Sequence, residues 1–369
     1  MKTTSFIHGA VAWILFAGAV LAPPGHATAQ QADPFLWLEE VEGERALAWV
    51  EAHNASTVER LSAHPFYRSI FDRAVAIMDS DDRIPFPSIQ GDRLFNFWQD
   101  ASNPRGVLRR TTWEAYLTGE PVWETVLDVD ALARAEGVPW AFGGSTCIPP
   151  AYERCLVRLS RGGADAVEIR EFDAVALRFV EGGFFLPEEK QSVTWVDRDA
   201  LLVATDFGEG SMTTSGYARV AKLWHRGTPL AAAEKLFEAE PTDMGVWVGS
   251  YRTADATYNV VMHRPNFYEG TTWLLRDGEL VRLDVQLDAD TYLLADRLLV
   301  YIRSPWTLGG RTWEPASLLD IGREDFLAGS RDFRLVVRPG ERQTIAGVQT
   351  TRNYLLVNML DNVRGELRR

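Results

Sequence analysis

Leu94-Phe-Asn-Phe-Trp98, Leu156-Val-Arg-Leu159, Leu201-Leu-Val-Ala-Thr205, Tyr258-Asn-Val-Val-Met262, Leu298-Leu-Val-Tyr-Ile302 and Tyr354-Leu-Leu-Val-Asn358 are six runs of one kind. Each is short and rich in Leu, Val and aromatic side chains, the composition of a strand packed on a sheet face. Most follow a polar turn, such as Asp197-Arg-Asp199, Asp255-Ala-Thr257 or Thr351-Arg-Asn353. Their starts lie 62, 45, 57, 40 and 56 residues apart. A repeat near that length, holding several strands, points to β-propeller blades, with the longer gaps absorbed by loops. A blade cannot bury both of its faces alone, and neighbours stacked around an axis supply the cover. The competing architecture is a β-sandwich, for which six recurrences over this length are too many.

Outward from that array, the texture is β from about residue 83 to the end, residues 83–369. Residues 30–82 read as a helical segment. Asp33-Pro34 offers an N-cap followed by Pro at the first helical position. Glu44 to His64 is rich in helix formers, with Leu47, Val50, Val58 and Leu61 near one face. Tyr67, Ile70, Phe71, Ala74, Ile77 and Met78 follow helical spacing, which stops at the acidic turn Asp79-Ser-Asp-Asp82. That turn lacks the ordered spacing of a Ca²⁺ loop and reads as solvated.

Residues 1–29 carry a basic start at Lys2, an apolar stretch from Ala10 to Ala22, the breaker Pro23-Pro24-Gly25 and then Ala27-Thr-Ala29. This pattern describes a secretory signal peptide cut after Ala29. A retained anchor or a buried apolar helix is the alternative, although the stretch is short for a membrane span. The expectation is an exported chain, periplasmic or secreted, with no membrane segment after cleavage. The only two cysteines are Cys147 and Cys155, flanking Pro149-Pro150. Export to an oxidising compartment allows a disulfide between them, with the prolines turning the chain back. Disulfide geometry is not readable from spacing, and a catalytic thiol is the remote alternative, since no activating His stands nearby in the sequence.

Hydrophobic residues at 46% and charged residues at 24% fit a globular chain rather than a disordered one. The net charge of −13, with no basic run to offset it, argues against a nucleic-acid partner. No G-x-S-x-G nucleophile elbow occurs. The nearest strings, Gly143-Gly-Ser-Thr146 and Gly208-Glu-Gly-Ser-Met212, lack its spacing. Of six histidines, His8 and His26 fall in the leader, His53 and His64 in or beside the helices, and His225 and His263 in strands. All four outside the leader read as structural or surface residues. No metal or phosphate motif is found, so no cofactor, no metal and no catalytic residue is assigned.

Several strings carry a family resemblance. Asp33-Pro-Phe-Leu-Trp-Leu-Glu39, before two helices, resembles the start of the prolyl oligopeptidase family of serine peptidases. Asn96-Phe-Trp-Gln-Asp100, Asn103-Pro-Arg-Gly106 and Arg109-Arg-Thr-Thr-Trp113 resemble its first propeller blade. Leu159-Ser-Arg-Gly-Gly-Ala-Asp165 with Arg170-Glu-Phe-Asp173 is similar to its second blade. Thr205-Asp-Phe-Gly208, Ser211-Met-Thr-Thr-Ser-Gly-Tyr217 and Lys222-Leu-Trp224 resemble bacterial members.

The resemblance implies a seven-bladed propeller, incomplete here, that sits over an α/β-hydrolase domain and restricts access to short peptides. It also implies a Ser, Asp and His triad beyond Arg369, cleavage typically after proline, and a missing C-terminal hydrolase domain against which residues 30–82 would pack. By that reading the chain is a truncated front part, inactive alone, whose substrates are short peptides handled by the complete enzyme. An exported, non-catalytic propeller that binds peptides or a partner protein is the alternative. A propeller acting on sugars through carboxylates is a third class that no sequence feature selects.

Overall fold

The computed structural model describes residues 33–40, 42–253, 256–351 and 353–369. The leader read into residues 1–29, with its cleavage after Ala29, lies outside the described residues. The described chain forms two compact units that meet in sequence at Ile77–Met78.

The first unit holds a helical turn, Leu36–Glu39, and two helices, α1 (Glu44–Ser62) and α2 (Tyr67–Met78). The helical turn begins later than Asp33-Pro34 suggests. Phe35 occupies the cap position, and the Asp33 carboxylate instead accepts the Phe35 amide at 2.8 Å. Asp side chains close such local turns as readily as they cap helices, which is why the sequence reading starts the helix early. Apart from the buried Ala46, large apolar residues of both helices are exposed, among them Leu47, Val58 and Leu61 on α1 and Ile70, Phe71 and Ile77 on α2.

The second unit is a β-propeller of six blades. The resemblance implies an incomplete seven-bladed propeller, and the described residues form six blades rather than seven. The blades begin at Ser88, Trp140, Ser192, Gly245, Asp290 and Gln343. These starts are 52, 52, 53, 45 and 53 residues apart, so six blades occupy the chain from Ser88 to Arg368. Blades one, three, four and five are four-stranded antiparallel sheets, blade two has five strands and blade six has three. Blade five carries an extra hairpin, Trp306–Leu308 with Arg311–Trp313, between its second and third strands.

All six recurring runs lie on, or within one residue of, the second strand of their blade: Arg93–Asp100, Arg154–Arg161, Ala200–Ala204, Thr257–Arg264, Arg297–Tyr301 and Leu355–Asp361. Their uneven spacing comes from the first hairpin. In blade two six residues separate the first and second strands, whereas in blade three two do. The blade starts themselves are nearly periodic.

In blades two to five the runs lack polar alternation because both faces of the second strand are covered by a neighbouring blade, whereas Asn358 in the second strand of blade six is exposed. Leu201 and Val203 point into the core between blades two and three, while Leu202 and Ala204 enter the core between blades three and four. Val260 and Val261 divide in the same way, as do Leu298 and Leu299. Side chains alternate across a strand, so consecutive apolar residues serve two neighbours at once. Five apolar cores result, one for each successive pair of blades. Polar ties follow the same seams. Arg110 Nη1 donates to Ala174 O at 2.6 Å, Trp195 Nε1 to Thr146 O at 2.9 Å, and Tyr258 Oη to Ala295 O at 2.8 Å.

Leu201 is fully buried, so Leu201→Ala leaves a void at the seam of blades two and three. Chemical denaturation should show a loss of about 2–5 kcal/mol, while the exposed Leu335→Ala should stay within about 0.5 kcal/mol of the parent.

Candidate functional site: an arginine pair where blades two, three and four meet

The residues singled out in the sequence do not converge on one catalytic centre. Cys147 ends the first strand of blade two and stands directly opposite Cys155 on the second strand. Their sulfurs lie 1.96 Å apart, and both residues are buried. The turn between them contains the cis peptide Pro149–Pro150.

Neither serine of the elbow-like strings is placed as a nucleophile. Ser145 sits mid-strand, paired with Val157. Ser211 is buried, and its hydroxyl accepts the Phe207 amide at 2.8 Å and bonds the Asp206 carboxylate at 2.7 Å. It closes a loop.

The histidines also separate. On α1, His53 bonds the Trp49 carbonyl at 2.7 Å through Nδ1. His64 Nδ1 accepts the Phe66 amide at 3.3 Å, and His225 ends a strand of blade three. His263 is held between the Asp243 carboxylate, 2.8 Å from Nε2, and the Thr271 hydroxyl, 3.5 Å from Nδ1. That row brings a hydroxyl, an imidazole and a carboxylate together, and sequence reasoning did not find it. Thr271 lies in a strand directly opposite His263 and already accepts from Trp273 Nε1 at 3.0 Å. The row therefore ties blade four to the loop before it. Among the described residues no group of three or more His, Cys, Asp or Glu side chains gathers to hold a metal ion.

Buried charge in the propeller is mostly matched. Glu171, whose side chain is 1% exposed, receives Arg226 from blade three at 2.8 and 3.1 Å and the Phe184 amide at 2.9 Å. Arg170 lies between Glu136 and Glu168. Asp320 is gripped by Arg297, at 2.7 and 2.8 Å, and by Arg334. Burial alone would raise the Asp320 carboxyl, but the hydrogen bonds from Arg297 and Arg334 outweigh it and hold it below its ordinary value.

Arg252 and Arg158 are different. Arg252 is the last residue of the first strand of blade four, one of the strands that line the propeller axis. It reaches past blade three, and its Nη1 donates to the carbonyl of Cys147 in blade two at 2.7 Å. Its Nε and Nη2 are buried and have no hydrogen-bond partner among the described residues. Arg158, on the second strand of blade two, donates to Thr146 Oγ1 at 3.0 Å and reaches the Val193 carbonyl of blade three at 3.5 Å. Burial lowers both guanidinium pKa values, and the charge of Arg252 lowers that of Arg158 further. Neither guanidinium forms an ion pair with a carboxylate among the described residues, and the two unpartnered nitrogens of Arg252 are enclosed with no surface open to solvent.

Comparison with known proteins adds the following. Residues 20–369 match the family model described as the prolyl oligopeptidase N-terminal β-propeller domain. The chain is 37% identical over 363 residues to an uncharacterised peptidase, y4nA, of Sinorhizobium fredii, covering 95% of this chain and 50% of that protein. It is 25% identical over 346 residues to an uncharacterised peptidase, RP174, of Rickettsia prowazekii, covering 89% and 48%. Among solved structures, a post-proline cleaving enzyme from Rickettsia typhi superposes with a TM-score of 0.84 at 25% identity, covering 89% of this chain and 50% of that one. The chain thus spans about half the length of the curated relatives it matches.

The Asp320 cluster gives a pH signature. A carboxyl held below its ordinary value stabilises the fold fully above the unfolded value, near 3.8, and loses that contribution as pH falls through the lower folded value. Asp320→Asn should cost about 1–3 kcal/mol at neutral pH and flatten the fall in stability below pH 4. Urea titrations at pH 7 and across the acid range check both.

Proposed function

The chain belongs to the prolyl oligopeptidase family through its N-terminal β-propeller domain, and from that premise we propose that it is the propeller part of a serine endopeptidase that cleaves short peptides, typically after proline. The observation that carries the reading is the match of the whole six-bladed array to this family's propeller, in a chain spanning about half the length of its peptidase relatives. Hydrolysis needs a nucleophile, a base and an orienting carboxylate within hydrogen-bond reach. No nucleophile elbow occurs in these 369 residues, so the chemistry belongs to a hydrolase domain outside them. The propeller's task is to restrict access to that domain. Only peptides small or extended enough to pass it reach the bond-breaking groups.

Residues 30–82 have a role in the same scheme. The exposed apolar stripes of α1 and α2 suit a packing surface, and their partner is the hydrolase domain. The leader at residues 1–29 directs export to the periplasm or the medium. There, an oxidising environment keeps Cys147 and Cys155 bonded.

Two measurements test these points. The 369-residue chain should give no turnover of a fluorogenic peptide with proline before the scissile bond. Turnover by the chain alone would overturn the assignment of the chemistry to another domain. When the exported protein is denatured, both cysteines should resist alkylation until a reductant is added, and ready labelling without reductant would refute the disulfide.

A further inference from the structure

Between blades four and five the propeller holds a cavity of about 710 Å³. Two connections build it. One joins the second and third strands of blade four, from Pro265 to Gly270, and the other leads from blade four into blade five, from Asp284 to Ala289. The Gly270 amide donates to the Leu287 carbonyl at 2.7 Å and ties one connection to the other. Asn266 braces the first from within: its Oδ1 accepts the Tyr268 and Glu269 amides at 2.9 and 3.0 Å, and its Nδ2 donates to the Glu269 carboxylate at 2.9 Å. On this braced turn Phe267 and Tyr268 line the cavity while standing 77% and 84% exposed. A turn closed by Asn266 has no need of two large aromatic side chains, and fixed, exposed rings mark a surface that meets a ligand.

The charges in the cavity define the ligand. Arg303 and Asp290 answer each other at 2.5 Å, and His263 is held by Asp243 and Thr271. Arg264 and Asp288 are different. Both line the cavity and are half-buried, yet neither side chain forms an ion pair or a hydrogen bond among the described residues. The Arg264 stem folds against Gly270, where an added Cβ would lie 3.4 Å from Arg264 Cγ. Its guanidinium is thereby delivered to the aromatic turn, while Asp288 comes from the other connection. Half-burial strips part of the water from each charge, and opposite charges that share a cavity without pairing leave both to be answered from outside. A ligand that answers both carries a carboxylate, a cationic amine and apolar surface for the two rings. A short peptide with free ends is such a molecule.

We propose that this cavity binds short peptides by their free ends, with Arg264 receiving the terminal carboxylate, Asp288 the terminal ammonium, and Phe267 and Tyr268 covering an apolar side chain. That the ligands are peptides rests on the function proposed above. Complementarity to a zwitterion with an apolar body rests on the cavity alone. In that setting blades four and five retain short peptides and favour those with both ends free over internal segments of longer chains.

The test is isothermal titration calorimetry of the 369-residue chain with the tripeptide Ala-Ala-Phe, its N-acetylated, C-amidated and doubly blocked forms, and ε-aminocaproate, a zwitterion without a peptide bond. The free tripeptide should bind, blocking either end should weaken it about tenfold, and blocking both should abolish binding. Arg264→Gln should erase the preference for a free carboxylate and keep that for a free amine, and Asp288→Asn should do the reverse. Phe267→Ala combined with Tyr268→Ala should weaken the tripeptide severalfold while both charge preferences persist. Equal binding of the free and doubly blocked tripeptide, or no binding of any probe, would overturn the site. Should the variants misfold, the comparison of free and blocked forms on the parent chain decides alone. Binding of ε-aminocaproate without the tripeptide would uphold the site and refute its assignment to peptides. Peptide binding unchanged in folded Arg264→Gln and Asp288→Asn would overturn the site and leave the peptide-handling function standing, which separates the two failures.

Discussion

Blades two to five of this propeller each pack two apolar faces against neighbours, and that constraint shapes the rest of the structure. A sheet with one wet face can stop at a single core. Here the second strand of each blade sends alternate side chains into different seams, as Leu201 and Leu202 do. No blade with two such faces is stable alone, so stability comes from pairs of neighbours. The seams are filled with large, well-defined side chains. Trp140 and Phe172 lie between blades one and two, Trp195 and Trp224 between blades two and three, and Leu293 and Trp313 between blades four and five.

The polar atoms at the seams follow from the apolar packing. Where two sheets meet face to face, a buried indole or phenol must find a carbonyl, and Trp195 and Tyr258 find theirs on the next blade. Buried carboxylates are answered in the same way, most fully at Glu171, whose oxygens are taken by Arg226 and by the Phe184 amide. A scaffold that matches its buried charges this consistently makes an unmatched pair informative. Arg252, the last residue of the first strand of blade four, leaves two enclosed donors without a partner among the described residues.

The two units differ in how they satisfy their apolar groups. The propeller buries its own, whereas α1 and α2 leave Leu61, Ile70 and Ile77 exposed. Exposed apolar stripes of this kind are unusual on a free surface.

How far the sequence alone reached is decided by the range of each signal. The six apolar runs disclosed the propeller because a strand buried on both faces loses its polar alternation, a property of five consecutive residues. α1 and α2 were legible from local spacing for the same reason. Blade boundaries were less so, since hairpin lengths shift the runs against the regular period of the first strands. The hairpin Trp306–Leu308 with Arg311–Trp313 left no mark in that pattern. The candidate site was not legible at all. Arg158 and Arg252 look like ordinary strand arginines, and each is unremarkable among its sequence neighbours. Only the packing of the blades against one another sets Arg252 against the carbonyl of Cys147 without a carboxylate paired to it among the described residues. Local composition determined the blades, because burial of both faces is written along each strand. Tertiary structure decided the site, because the charge around a side chain depends on which distant residues the fold brings near it.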